Sequence, residues 1–212
     1  MKKSKVLLLM LCTVALSVGV TFGTLAYLTD TEAVTNTFTV GQVHISLDEA
    51  DVKPDGTYET DKTARVIENE YHLIPGHTYI KDPTIYVGND SEECYLFVKV
   101  ENGIKNIETT DAAKTVAGQM AAKGWVEIDA NKHIYVLDKN GDKTYTVFKG
   151  AEVVVFDNFT IAGDGVNNDD IAKYDTEKNQ TVIEVTAYAI QAAGFDNANL
   201  AWEAYAAQHP NP

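Results

Sequence analysis

Asn36-Thr-Phe-Thr-Val-Gly41-Gln-Val-His-Ile-Ser-Leu47 is the stretch on which the fold turns. Successive side chains of an extended chain point to opposite faces, so Val34, Asn36, Phe38 and Val40 share one side and Thr35, Thr37 and Thr39 the other. One face is largely apolar, which is the signature of a strand with one side to bury. The same period-2 alternation, rich in Val, Ile, Thr, Tyr and Phe, recurs along the chain. It predicts strands over 34–40, 42–48, 64–68, 78–87 with a break at Pro83, 94–101, 125–129, 133–137, 143–148, 151–161 and 181–191. Short strands separated by turns imply a mainly β protein: a two-sheet antiparallel β-sandwich of jelly-roll type, whose alternating faces fill one core. Pro75-Gly76 marks a turn, and Asp138-Lys-Asn-Gly-Asp142 reads as a hairpin between Ile134-Tyr-Val-Leu137 and Thr144-Tyr-Thr-Val147.

Two short peripheral α-helices break this pattern. Thr110 or Asp111 is placed to cap a helix presenting Ala113, Val116, Ala117, Met120 and Ala121, with Gly124 at the position that favours glycine after a helix. A second helix is predicted from Asn197 to Gln208, with Leu200, Ala204, Ala201 and Tyr205 on its apolar face and Pro210 beyond its end. Both are short and alanine-rich, so each must dock on the sandwich to persist.

Upstream of the first strand, Lys2, Lys3 and Lys5 precede an apolar run over 6–20, and Thr24-Leu25-Ala26 puts small residues where a signal peptidase reads. Residues 1–26 therefore read as a signal peptide, cut between Ala26 and Tyr27. The competing reading is a retained anchor, because no charge intervenes between Lys5 and Asp30 and about 20 apolar residues suffice to span a bilayer. Thr13, Ser17, Gly19, Thr21 and Gly23 dilute the run and favour the signal peptide, with membrane contact only during export. A lipid anchor on Cys12 is disfavoured by Leu11, which stands where a small residue is needed.

Removing 26 of the 212 residues leaves a length suited to a single secreted domain, 27–212. The formal charge of −14 becomes −17 when the three lysines leave, a surface that repels nucleic acid and anionic membrane. Only Cys94 remains of the two cysteines, so no internal disulfide is available and stability must come from packing. Cys94 reads as a small apolar residue at a strand start, against the alternatives of an intermolecular disulfide or a nucleophile.

The search for chemistry is nearly empty. The five histidines, His44, His72, His77, His133 and His209, form no HExxH or other ligand pair, although His72 and His77 flank the Pro-Gly turn. There is no Gly-x-Ser-x-Gly and no glycine-rich phosphate loop. Asp138, Asn140 and Asp142 open like a calcium loop, but Lys143 replaces the required glycine and Lys149 the bidentate glutamate. Asp164, Asp169 and Asp170, within Asp164-Gly-Val-Asn-Asn-Asp-Asp170, are the other oxygen ligands, for calcium, against the reading of a plain solvated loop. No catalytic residue and no cofactor site is assigned.

Three pieces of the first half resemble one family: Ala26-Tyr-Leu-Thr-Asp30, the strand Asn36 to Leu47, and Leu73-Ile-Pro-Gly76 leading through Pro83-Thr-Ile-Tyr-Val87 into Tyr95-Leu-Phe-Val-Lys-Val100. In this order they resemble TasA and camelysin, matrix-fibre proteins of Gram-positive bacteria secreted through a SipW-type signal peptidase. The resemblance implies a fibre-forming component of the cell surface or biofilm matrix, self-associating by donor-strand exchange. It also raises a secreted metallopeptidase as an alternative, since camelysin has been classed as one, but no zinc site is present to carry over. From the residues alone, strand 34–40 either completes its own sandwich or adds to an open edge of a neighbour, and a monomeric extracellular binding module is a third reading. The secreted form is expected to begin at Tyr27, which intact-mass measurement of culture supernatant checks. A start many residues later, or full-length protein found solely in membranes, would overturn the cleavage assignment.

Overall fold

The computed structural model describes residues 29–32, 43–176 and 183–210. The signal peptide, the Ala26/Tyr27 junction and strand 34–40 with Val34, Phe38 and Val40 lie outside the described residues. In chain order the elements are β1 (Thr29–Glu32), β2 (Ile45–Ala50), β3 (Arg65–Val66), β4 (Thr78–Ile80), β5 (Thr84–Val87), β6 (Cys94–Asn102), α1 (Val116–Ala122), β7 (Trp125–Asp129), β8 (Ile134–Leu137), β9 (Glu152–Val154), β10 (Asn158–Thr160), α2 (Asn168–Thr176), β11 (Ile183–Gln191) and α3 (Ala198–Gln208). The protein is mainly β, with antiparallel sheets in a sandwich as expected. One sheet has the order β1-β11-β6-β8-β7 and the other β3-β2-β5-β9, with β10-β4 as a separate ribbon.

β6 organises the sandwich because both of its faces are covered. Leu96, Val98 and Val100 point into the core shared with Ile45, Ile85, Val87 and Val153 of the opposite sheet. Tyr95 and Phe97 point the other way, into a second core closed by Ala198, Ala201, Trp202 and Tyr205 of α3. The ladder with β11 keeps the two sets apart, pairing Leu96 with Ala189 and Val98 with Ala187 on one face, Tyr95 with Ile190 and Phe97 with Tyr188 on the other. A strand buried on both sides loses its polar alternation, which is why Tyr95-Leu-Phe-Val reads as a continuous apolar run.

Several elements differ from their sequence expectation. The polar segment Thr29–Glu32 forms β1, antiparallel to β11 with Thr29 opposite Ile190 and Glu32 opposite Ala187. The strand expected over 143–148 is absent; only Val147 makes a bridge, to Cys94. Nor does Asp138–Asp142 form a hairpin turn, because β8 already has β6 on one side and β7 on the other. The Asp138 carboxylate instead accepts from the Gly141 and Lys143 amides at 2.9 and 3.1 Å, turning the loop on itself. The hairpin is β7–β8, with a bulge between Glu127 and Asp129.

α1 starts later than Thr110 or Asp111. Its cap is Thr115, whose hydroxyl accepts from Gly118 N at 3.0 Å, while the Asp111 carboxylate accepts from Ala113 N in a preceding turn. Its buried face is Val116, Gln119 and Met120; Ala113, Ala117 and Ala121 are exposed. Gly124 follows the helix with φ +91, the left-handed conformation that favours glycine there. α3 has the expected bounds and is capped by Asn197, which accepts from Leu200 N at 3.1 Å; of the expected face, Ala201 and Tyr205 are buried but Leu200 is not. Leu200 is exposed, and Ala198, Ala201, Trp202 and Tyr205 are buried, because the indole packs on Phe97 and Tyr188 with ring centroids 5.0 and 5.4 Å away. Trp202→Ala should therefore cost about 3–5 kcal/mol, the usual range for truncating a buried aromatic, whereas Leu200→Ala should leave the thermal midpoint nearly unchanged. Equal shifts for the two variants in a calorimetric comparison would contradict this docking of α3.

Candidate functional site

A groove of about 1300 Å³ runs where β11 and β2 of the two sheets diverge. Leu47 of β2, Phe159 of β10, Ile171 of α2, and Ile183 and Val185 of β11 give it apolar walls. The loop 67–74 forms its rim, and on that rim Ile67 and Ile74 are 64% and 45% exposed. β1 covers β11 only from Ala187 to Ile190. Among the described residues, nothing pairs with the same edge over 183–186, so the main-chain donors and acceptors there face the groove without a strand partner.

One end of the groove is polar. On β2 the alternation that turns Ile45 and Leu47 inward turns Glu49 inward too, leaving a carboxylate only 5% exposed. Burial of a charge is costly unless it is paired and hydrogen-bonded. Two partners meet it: Lys81 Nζ at 2.5 Å from Oε2, and Asn69 Nδ2 donating to Oε1 at 2.8 Å. Asn69 is held further by Nδ2 donating to Ala50 O at 2.9 Å and by Oδ1 accepting from Val52 N at 3.0 Å. The Tyr71 ring covers the ammonium with its centroid 5.9 Å from Nζ. Burial, with the charges of Glu49 and Asp82 adding, pushes the Tyr71 phenol well above its ordinary range. On the other face of the sheet, Arg65 forks between Asp48 and Asp82 at 2.8 Å each, fixing β3 against β2 and the start of β5.

The acidic segment expected to be a solvated or calcium-binding loop opens a third helix. Asn167 Oδ1 accepts from the Asp169 and Asp170 amides at 2.8 and 3.0 Å, and Asp170 Oδ2 accepts from Asn167 N at 3.1 Å. This reciprocal arrangement is a helix-capping box, which engages one of the three carboxylates named from sequence; Asp164 lies on an exposed bend before it. Among the described residues, no group of three or more His, Cys, Asp or Glu side chains is placed to hold a metal ion. The histidines are dispersed: His77 Nε2 bonds Asp55 O at 2.9 Å and His209 Nδ1 bonds Tyr205 O at 3.1 Å. His44 Nδ1 lies 3.0 Å from Asp90, with Ser91 beside them. The Ser91 hydroxyl accepts from His44 N and donates to His44 O, so its single proton is already committed to main chain and the trio braces a loop.

Cys94 starts β6 as expected. Its side chain is fully buried and its thiol is pushed up to about 12, by burial first and by the charge of Glu93 second. Glu49, Asn69 and Lys81 were not singled out by sequence. The one signal was an acid in register with Ile45 and Leu47; its partners come from segments that only the fold brings together.

Comparison of the chain with family models, with curated proteins and with solved structures found no match.

A thiol buried in this way does not ionise near neutral pH and should resist alkylation in the native state. Mass-detected iodoacetamide labelling of Cys94 is expected only after denaturation. Stoichiometric labelling of native protein, or a dimer lost on reduction, would restore the reactive or intermolecular readings of this residue.

Proposed function

We propose that this chain is a secreted structural protein of the cell surface or biofilm matrix, a subunit of jelly-roll type that forms fibres by donating its N-terminal strand to the next copy. The observation that carries this reading is that, among the described residues, the edge of β11 over 183–186, set beside the groove, has no strand partner. A strand entering there gains main-chain hydrogen bonds from the edge and packs alternate side chains against Leu47, Ile171, Ile183 and Val185. Residues 33–42, Ala-Val-Thr-Asn-Thr-Phe-Thr-Val-Gly-Gln, carry no charge and offer Val34, Phe38 and Val40 on one face. A neutral segment also suits a rim bearing Glu68, Glu70 and Glu184, which would repel an acidic one. Addition of this kind is head to tail and need not close, so it extends into a filament rather than a ring.

The resemblance to TasA and camelysin supports the same reading and the same export route through a SipW-type peptidase. The groove also favours one rival, a monomeric module that binds an extended peptide or glycan. No arrangement of nucleophile, base and orienting group among the described residues supports a peptidase. We read the protein as having no enzymatic turnover of other molecules, no nucleic-acid partner and no resident cofactor.

Electron microscopy of the mature protein should show filaments. Phe38→Asp should abolish them, because an unpaired carboxylate buried at each repeated interface costs several kcal/mol. Replacement of 34–40 by a Gly/Ser segment of equal length, which leaves β1 in place, followed by circular dichroism and filament counts, separates donation in trans from pairing in cis. A retained fold without filaments supports the proposal. A lost fold makes the segment part of its own sandwich, and unchanged filaments would refute assembly through it.

A further inference from the structure

Glu49, Asn69 and Lys81 form more than a satisfied buried ion pair. A single carboxylate holds an amine on one oxygen and a carboxamide on the other, Lys81 Nζ at 2.5 Å and Asn69 Nδ2 at 2.8 Å. The carboxamide oxygen of Asn69 already accepts the Val52 amide at 3.0 Å. The Tyr71 ring lies over the amine, and the Glu49 and Lys81 side chains are 7% and 11% exposed, so little water reaches the group. An amine and a carboxamide thus share one carboxylate, with a main-chain N–H on the carboxamide oxygen, the set of groups that acyl transfer from Asn69 to Lys81 requires.

We propose that this cluster is a self-modification site at which Lys81 and Asn69 become joined by an isopeptide bond, with Glu49 as the catalytic carboxylate. Glu49 takes a proton from the Lys81 ammonium, leaving a neutral amine with a free lone pair. Nζ attacks Cγ of Asn69, and the carbonyl electron pair moves onto Oδ1, where the Val52 N–H meets the developing charge. Glu49 gives its proton to Nδ2 and takes one from the attacking nitrogen. Collapse of the intermediate breaks the Cγ–Nδ2 bond and expels ammonia, which departs as ammonium with the proton Glu49 still holds. One ammonium side chain and one carboxamide give one secondary amide and one ammonium ion; no oxidant, nucleotide or metal enters the balance.

The bond ties the rim loop, through Asn69, to the residue following β4. It would fix the wall bearing Ile67 and Ile74, where no described cysteine is placed to do so, Cys94 being a free thiol buried in the core. The chemistry does not depend on filament formation, so its test stands apart from that of assembly.

Intact mass and peptide mapping of the purified protein decide the matter. The mass should fall short of the sequence mass, counted from the observed N-terminus, by one ammonia. Trypsin should fail to cut after Lys81, and a protease cutting after Glu70 should leave the Asn69 and Lys81 fragments linked. Glu49→Gln and Asn69→Ala should each restore the full mass and trypsin cleavage at Lys81. Should either variant fail to fold, the mapping of the unaltered protein still decides. Full sequence mass in that protein, or an ammonia loss that maps away from Asn69 and Lys81, would overturn the proposal, and a bond that persists in Glu49→Gln would remove Glu49 from it.

Discussion

The double burial of β6 is the constraint on which the rest of the structure depends. A strand that is apolar on both faces cannot lie at the surface of a sandwich with one core; it needs a layer on each side. The four-stranded sheet supplies one layer and α3 the other, through Trp202 and Tyr205. β11 runs beside β6 for its whole length, nine residues paired with nine, so its faces are divided in the same way. Once β11 is fixed, the position of β1 follows, opposite Ala187 to Ile190, and among the described residues no strand pairs with that edge over 183–186. The groove lies beside this packing, with Leu47 and Glu49 of β2 on one side and Ile183 to Thr186 of β11 on the other.

Charge burial shapes the other end of the groove. Glu49 sits where the alternation of β2 demands an apolar side chain, and a carboxylate there would be strongly destabilising if left alone. Its two partners come from the rim loop and from the segment after β4, so satisfying one buried group also fastens two segments that share no sheet ladder with each other. Arg65 does the equivalent on the outer face, with Asp48 and Asp82 on its guanidinium fork. Together they let the two-residue strand β3 hold its place at the edge of the four-stranded sheet.

Much of the fold was legible in the sequence, and the differences have physical reasons. β6, β7, β8 and β11 announce themselves by composition and period, and Pro83 breaks the 78–87 segment into β4 and β5 as its missing donor requires. The bounds of α3 were readable from Asn197 and the chain beyond Gln208, and Ala201 and Tyr205 of its buried face, but not the place of Trp202. Helical spacing allowed both Leu200 and Trp202 to be apolar contacts, and only the aromatic floor provided by Phe97 and Tyr188 selects the indole. The hairpin at Asp138–Asp142 failed because local turn chemistry cannot report that β8 has no free edge. In the site, Glu49 falls just past the strand expected over 42–48 and was not singled out, while Asn69 and Lys81 lie twenty and thirty-two residues away and carry no local mark.

The central claim is that the edge of β11 over 183–186 is open in the subunit and filled on assembly. Hydrogen–deuterium exchange, resolved to single amides across β11 in dispersed subunits and in filaments, tests it most directly. The account predicts that the amides of 183–186 facing away from β6 exchange quickly in the subunit and become strongly protected in the filament, while those of 187–190 are protected in both. Protection of the 183–186 edge already complete in dispersed subunits, or absent from filaments, would contradict it.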